Sequence, residues 1–261
     1  MIEFREPSRT GFELRWSMFG VRFRVLPSFF IIAALLAYVF VRLDVVAMAV
    51  DVACIFIAIA FTELVQGLVY RSYGLRSTVI IQEFGGGIYP EREPPTVLQR
   101  IAVALASPAS SFLLYAIVFY SNKEYHWAAA VPYGNFAYQI LYIVTAFWGI
   151  IGLLPILPYP GGRVMLEVLT AISPRNGLVA TLTISIVVGL AYIAYVAAVL
   201  LGHMREVPLV ENFVLPASII IAVFFALAVM HNWQMLRYAR SMRRGQDDPV
   251  DDYGDHAPWE R

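Results

Sequence analysis

Residues 46–70 read VAMAVDVACIFIAIAFTELVQGLVY, and this stretch decides the fold class. Its only charged residues are Asp51 and Glu63. A helix that crosses a bilayer needs about 20 mostly apolar residues, so we expect a transmembrane helix here. An acid at mid-membrane costs about 2.5–3.5 kcal/mol on insertion scales, and an ionisable residue in such a helix is a functional hypothesis by default. We therefore expect Glu63 to face the protein interior, beside the polar Thr62 and Gln66.

Further apolar runs extend this interpretation to the rest of the chain. No Asp, Glu, Lys or Arg occurs in residues 25–41, 101–122, 125–162, 176–204 and 212–236. With the stretch above, these runs predict an all-α, polytopic membrane protein with about six transmembrane helices in one domain over residues 27–236. We place the helices near residues 27–42, 46–70, 98–121, 136–158, 177–201 and 213–236.

The composition excludes a water-soluble globule and gives no reason to expect nucleic acid as a partner. Of the 261 residues, 59% are hydrophobic and 15% are charged, whereas soluble domains carry about 25% charged residues. Nineteen basic residues balance nineteen acidic ones, so the chain has no net positive charge to attract nucleic acid. The partner that the composition predicts is the lipid bilayer.

The distribution of Lys and Arg predicts the orientation. Sixteen of these residues fall in the two terminal segments and the second and fourth connections, and three fall in the other connections. Because cytoplasmic loops carry the excess of basic residues, both termini are expected in the cytoplasm. In residues 1–26, alternating apolar residues around Gly20 predict a short interfacial β-hairpin. Residues 237–261 are basic and then acidic, and we expect this tail to be disordered.

A second unusual stretch interrupts the fourth predicted helix. Residues 152–163 read GLLPILPYPGGR, so three prolines and a glycine pair lie inside a run without charges. Non-helical backbone at membrane depth is tolerated only where it is buried in protein or lines a cavity. We therefore expect a cavity near Glu63.

Together the two stretches resemble the site-2 protease family of intramembrane zinc metalloproteases. In that family a helix carries His-Glu-x-x-His, and a later segment reads Asn-x-x-Pro-x-x-Pro-x-Asp-Gly; residues 61–67 and 152–162 align with these motifs without gaps. The likeness covers roughly residues 12–200 and includes the order of spans and the segments 20–27, 74–76, 85–87 and 104–108. The resemblance implies that the connection containing Gly85–Gly87 forms a substrate-contacting hairpin; a flexible cytoplasmic loop is the alternative.

The departures from the family pattern concern the metal. A catalytic zinc site needs about three protein ligands. Thr62 and Gln66 stand at the two histidine positions and Pro160 at the aspartate position, and these residues are poor zinc ligands or offer no donor. Only Glu63 remains, at the position of the family's general base. Without zinc the attacking water has a pKa near 15.7 rather than about 7, so we predict no cofactor and no peptidase activity.

Our first hypothesis is a pseudoprotease that binds or sequesters the transmembrane helix of a single-span client. The candidate groove residues are Gly85, Gly86, Gly87, Gly152, Tyr159, Gly161 and Gly162. Two alternatives stay open: an active membrane metalloprotease with atypical ligands, and a proton or solute transporter that uses Glu63.

Overall fold

The computed structural model describes residues 11–41, 44–82, 85–205, 208–210, 213–214 and 219–247. The chain divides into two compact units. The first runs to Leu154 and also contains Tyr159–Glu167. The second contains Pro155–Pro158 and the chain from Val168 onward. Of the predicted terminal segments, residues 1–10 and 248–261 lie outside the described residues.

The first unit is built around long apolar helices. Their bounds are Pro27–Val41 for α1, Val45–Ser72 for α2, Val97–Tyr125 for α3, Trp127–Ala130 for α4 and Gly134–Leu153 for α5. Helix α6, Pro160–Ile172, begins in this unit. Asp44 caps α2 by accepting hydrogen bonds from the amides of Val46 and Ala47, and Thr96 forms a capping box with Gln99 at the start of α3.

A small sheet belongs to the same unit and extends the predicted hairpin, while the chain is mostly helical, as expected. Its strands are Leu14–Met18 (β1), Val21–Val25 (β2), Ser77–Gln82 (β3) and Gly85–Pro90 (β4), in the order β1-β2-β3-β4. The predicted hairpin is present as β1 and β2, but β2 also pairs in parallel with β3. Gly85–Gly87 lie in β4, which pairs antiparallel with β3, rather than in an irregular loop.

One face of the sheet packs on α2 and forms the core of this unit. The buried residues of this core are Val21, Phe23, Val25, Phe29, Ala33, Ile59, Leu64, Tyr70, Val79, Ile81, Ile88 and Val103. Gly67 allows the close approach of α2 to β2, because a Cβ atom there would lie 2.7 Å from the Val21 Cγ1 atom. The glycine beside the predicted functional residues therefore serves packing.

The second unit contains helices α7, Gly177–Leu200, and α8, Ile219–Asp247, with the short strands β5, Pro208–Val210, and β6, Phe213–Val214. The two helices pack tightly: a Cβ atom on Gly189 would lie 2.5 Å from the Val229 Cγ2 atom. The rings of Tyr192 and Phe225 stack with centroids 4.2 Å apart. Helix α8 continues to Asp247, so the first part of the predicted disordered tail is helical.

Four of the described helices, α2, α3, α5 and α7, are long and apolar enough to cross a membrane. The expectation of six spans is thus supported for four helices. Helix α1 has 15 residues, fewer than the about 20 that a bilayer needs. The fourth predicted helix, 136–158, ends at Leu153, because Pro155 and Pro158 lack the amide hydrogen that continues a helix. Helix α6 then starts at Pro160, a residue well suited to the first helical position.

Candidate functional site

Glu63 lies in the C-terminal half of α2 and is buried, with 8% of its surface exposed. Strand β4 runs directly over it: a Cβ atom on Gly86 would lie 2.4 Å from the Glu63 Cγ atom and 2.8 Å from Oε1. Among the described residues, Glu63 Oε2 is buried and has no hydrogen-bond partner. The positive charge of Arg163 interacts electrostatically with the carboxylate. The structure thus brings Glu63, Gly86 and Arg163 together.

The two neighbours of Glu63 on the same helix have other hydrogen-bond partners. The Thr62 hydroxyl donates to the Ile59 carbonyl oxygen of its own helix at 2.9 Å. Gln66 Nε2 donates to the Val103 carbonyl oxygen of α3 at 3.0 Å. Both side chains are buried. The Gln66 bond therefore ties α2 to α3, whereas the Thr62 bond stays within α2.

The segment after α5 supplies packing contacts. Pro160 is the first residue of α6 and has no side-chain donor. Gly161 packs on the end of α5, since a Cβ atom there would lie 2.3 Å from the Leu153 carbonyl oxygen. Gly162 is buried, and burial raises the pKa of the Tyr159 hydroxyl above its ordinary value.

The remaining predicted groove glycines have different surroundings. A Cβ atom on Gly152 would lie 3.3 Å from Pro108, so this glycine allows α5 to approach α3. Gly85 has a φ of +125°, a conformation that favours glycine. Gly87 has room for a side chain, with the Tyr89 ring nearest at 3.4 Å. Of the three consecutive glycines, Gly86 is the one whose missing side chain makes space for Glu63.

Hydrogen bonds on the connection after β4 fix the strand in place. The Arg22 guanidinium donates to Glu91 at 2.8 Å. Tyr70 of α2 donates to Glu93 at 3.4 Å. Arg100 donates to the Pro94 carbonyl oxygen at 3.0 Å and from Nε to Glu167 of α6 at 2.7 Å. Strand β4 is therefore anchored at its C-terminal end to β2, α2, α3 and α6.

In the second unit, two residues that sequence analysis did not identify hold the proline-rich break. The amide of Leu157 donates to Ser185 Oγ of α7 at 3.1 Å. Asn232 Nδ2 of α8 donates to the Leu157 carbonyl oxygen at 2.8 Å, and Asn232 is fully buried. We call this arrangement the Leu157 lock. The sequence did contain a signal for this arrangement: Asn232 is an asparagine in a largely apolar run without charges.

A comparison with solved structures finds a similar fold. The site-2 protease from Methanocaldococcus jannaschii superposes with a TM-score of 0.54 at 15% sequence identity, over 86% of this chain and 95% of that chain. No family model and no curated protein sequence matches the chain. The chain therefore has a site-2 protease-like fold, with helices consistent with a bilayer environment.

The residues around Glu63 do not fit the zinc ion that this fold implies. Zinc takes sulfur, imidazole nitrogen or carboxylate oxygen, usually from three protein ligands in a catalytic site. Thr62 offers a neutral hydroxyl and Gln66 a neutral amide, which are poor zinc ligands, and Pro160 has no side-chain donor atom. No group of three His, Cys, Asp or Glu side chains that could hold a metal occurs among the residues placed by the structure. Glu63 alone has the chemistry of a ligand or of a proton acceptor.

Proposed function

We propose that this protein is a pseudoprotease with a site-2 protease-like fold, which binds or sequesters the transmembrane segment of a single-span client without cutting it. One observation carries the proposal: Thr62 and Gln66 flank a buried carboxylate, and each donates a hydrogen bond to a main-chain oxygen. Side chains in these roles stabilise α2 and its contact with α3. A Glu63 without zinc has no activated water to use.

Strand β4 supports the binding half of the proposal. It lies at one end of the strand order β1-β2-β3-β4, and a sheet edge can accept an extended segment through main-chain hydrogen bonds. Gly86, in this strand, contacts Glu63. We infer that a client segment unwinds next to β4 and passes the carboxylate. The polar side chain of Glu63 would then hydrogen bond to the exposed amides of the client.

The proposal includes the membrane arrangement expected from the sequence. Helix α8 and the 15-residue α1, around which the bilayer would thin locally, cross the membrane in addition to α2, α3, α5 and α7, within a transmembrane domain over residues 27–236. Both termini, 1–26 and 237–261, lie in the cytoplasm. The distribution of Lys and Arg supports this orientation.

Zinc analysis of the purified protein tests the inactive state. We expect no stoichiometric zinc in the unmodified chain. The triple variant Thr62→His, Gln66→His and Pro160→Asp should bind about one zinc per chain if these positions correspond to the family ligands. The matched control is the double variant without Pro160→Asp. Stoichiometric zinc in the unmodified chain that disappears in Glu63→Ala contradicts the proposal.

Disulfide cross-linking tests client binding. A cysteine at position 87 has room, so Gly87→Cys should cross-link to a single-span test peptide that carries a cysteine beside a central Gly-Pro break. An uninterrupted leucine helix with the same cysteine should not react, because it does not offer an extended segment. Lys123→Cys, exposed at the end of α3, is the control position. Equal cross-linking of both peptides contradicts the inferred binding mode.

The same peptides separate this proposal from the active-protease alternative. Cleavage of the Gly-Pro peptide that stops in Glu63→Gln would establish a metalloprotease with atypical ligands. Intact peptide after prolonged incubation supports the pseudoprotease.

Proton transport through α2 is a second candidate, favoured by one observation. Asp51 is a second buried carboxylate in this helix, 12 positions before Glu63 and so about 18 Å away along the axis. Proton uptake into liposomes that falls in both Glu63→Gln and Asp51→Asn would favour transport. Uptake equal to that of empty liposomes would exclude it.

A further inference from the structure

Helix α8 changes from apolar to basic near its C-terminal end. The charge-free run of residues 212–236 ends directly before Arg237, and residues 237–244 contain four arginines and no acidic residue. The described part of that run, residues 219–236, is about 27 Å long at 1.5 Å per residue, close to the about 30 Å of a hydrocarbon core. With α8 crossing the bilayer as proposed above, the residues from Arg237 onward lie at the level of the lipid headgroups.

The first two of these arginines lie on the exposed face of the helix. Met230, Trp233, Arg237 and Arg240 follow one another at intervals of three, four and three residues, and this spacing keeps them on one face. All four are exposed, whereas Leu236, which packs within the second unit, is buried. The face that would contact acyl chains therefore continues into a basic surface beyond the hydrocarbon core.

Two aromatic residues support the same depth independently of the arginines. Trp233, 51% exposed, precedes Arg237 by about one helical turn, and Tyr238, 60% exposed, directly follows it. Tryptophan and tyrosine are enriched at the two membrane–water interfaces, where their polar atoms reach the headgroups. The aromatic pair thus brackets Arg237 at an interface.

Neither Arg237 nor Arg240 forms an ion pair with an acidic side chain in the part of the chain that the structure describes; the ion pairs there lie in the first unit. Guanidinium groups bind phosphate oxygens through paired N–H donors. The two arginines therefore have donors to offer to phosphate groups of the surrounding lipid.

We propose that Arg237 and Arg240, beside Trp233, form a surface that binds the headgroups of anionic phospholipids; we call it the α8 basic surface. Clusters of four or more basic residues directly after a membrane helix attract anionic headgroups more strongly than zwitterionic ones. Binding would hold this end of α8 at one leaflet. The proposal rests on the proposed crossing of α8 and does not depend on client binding.

The acidic end of the chain is the competing occupant. Residues 247–255 contain five aspartates, which could pair with the arginines instead of lipid. The aromatic residues favour lipid: Trp233 and Tyr238 suit a surface at headgroup level, whereas pairing with an acidic tail needs no exposed aromatic rings. Lipid is therefore the occupant that accounts for both the charges and the aromatic residues.

Native mass spectrometry of the full chain tests the headgroup preference. The probes are phosphatidylglycerol and phosphatidylcholine with identical acyl chains, and we expect preferential retention of phosphatidylglycerol. Arg237→Gln and Arg240→Gln should each lower this preference about fivefold, the factor expected for one basic residue near an anionic surface. Arg237→Lys, which keeps the charge, should retain most of it. The matched control is Arg92→Gln at an exposed arginine between Glu91 and Glu93, and it should have no effect.

Three results overturn the proposal. The first is equal retention of the two lipids by the unmodified chain. The second is a preference that appears only after the five aspartates of residues 247–255 are replaced by asparagine, which would identify the acidic tail as the occupant. The third is binding of soluble glycerol phosphate, without lipid, with the same dependence on Arg237 and Arg240.

Cysteine labelling in intact vesicles tests the crossing of α8 separately. Met230 and Met242 are both 54% exposed, so the protein shields them equally. A membrane-impermeant maleimide should react with Met242→Cys and spare Met230→Cys, because lipid surrounds the latter; the natural Cys54 is buried. Reaction of Met230→Cys would overturn both the crossing and the lipid proposal. Protection of Met230→Cys together with equal retention of the two lipids would overturn the lipid proposal alone.

Discussion

Two carboxylates of helix α2 have contrasting surroundings. Asp44, at its N-terminal cap, accepts hydrogen bonds from the amides of Val46 and Ala47 at 3.0 Å each and from the Tyr133 hydroxyl at 3.1 Å. Glu63, near the other end, is buried beneath Gly86, and among the described residues its Oε2 accepts none. Asp44 stabilises the helix, whereas Glu63 has no such structural explanation.

The two carboxylates differ in how completely they are hydrogen bonded. Buried polar groups in proteins are normally hydrogen bonded, and an exception calls for an explanation. Thr62 and Gln66 each donate a hydrogen bond to a main-chain oxygen. Glu63 Oε2, in contrast, has no hydrogen-bond partner among the described residues. A polar group that costs stability is expected to serve binding, and the following changes test this contrast.

The largest effect is expected where β4 covers Glu63. Gly86→Ala places a methyl group 2.4 Å from Glu63 Cγ, and overpacking of this kind costs about 1–3 kcal/mol of unfolding free energy. Glu63→Ala in the same chain should remove most of that cost, because it vacates the space. Denaturant unfolding in micelles gives the unfolding free energies of the two single variants and the double variant. Gly87→Ala is the control, because a side chain has room at position 87. Additive losses would show that the two residues do not share the space.

A smaller effect is expected at Gln66. Replacement by Leu keeps the volume but removes the hydrogen bond to Val103, and we expect a loss of about 0.5–1.5 kcal/mol. Gln139→Leu, at an exposed position of α5, is the matched control. If Gln66→Leu leaves the unfolding free energy unchanged, the hydrogen bond to α3 does not stabilise the fold.

Glu63 itself should contribute nothing to stability. Glu63→Gln keeps the shape and removes the charge, which relieves the cost of a buried charge without full hydrogen bonding and gives up the attraction of Arg163. We expect an unchanged unfolding free energy or a gain of up to about 1 kcal/mol. Thermal unfolding of Glu63→Gln is measured beside that of Gln66→Leu, whose loss of stability serves as the reference. A loss larger than that of Gln66→Leu would make Glu63 a structural residue like Asp44.

The smallest effect concerns the pH dependence at Asp44. The hydrogen bond from the Ala47 amide lowers the pKa of this carboxyl in the folded state. A lowered folded pKa contributes stability that is present above the unfolded value of about 3.9 and is lost as the pH falls through the folded value. Asparagine also caps helices but does not titrate. In Asp44→Asn the melting temperature should therefore fall less between about pH 5 and 2 than in the unmodified chain. An equally steep decline in this variant would contradict the assignment.

The apolar runs predicted most helix positions because bilayer-spanning helices need long uncharged segments. The start of α7 at Gly177 coincides with its predicted start, and α2 begins and ends within two residues of its prediction. The error at the fourth helix has a local cause: hydropathy continues through Pro155 and Pro158, but the helix stops at Leu153 because proline lacks an amide hydrogen.

The sheet was harder to predict because its central pairing joins distant parts of the chain. Strands β2 and β3 are parallel neighbours separated by α1 and α2 in sequence. Ser77–Gln82 also shows no alternation, since five of its six residues are buried, and a short run of this kind resembles a buried helix segment. At the candidate site, sequence analysis selected Thr62, Glu63 and Gln66, and the structure buries all three in α2. The contact with Gly86 and the role of Asn232 depended on tertiary packing, which no local pattern encodes.

The Leu157 lock has a consequence for the permeability of the membrane. A polypeptide that leaves the helical conformation in apolar surroundings exposes amides and carbonyls, and water drawn to them would provide a route for proton leakage. Ser185 and Asn232 bind both main-chain groups of Leu157, so the main chain of this residue needs no solvent. In a bilayer, these two bonds would keep water from being drawn to Leu157.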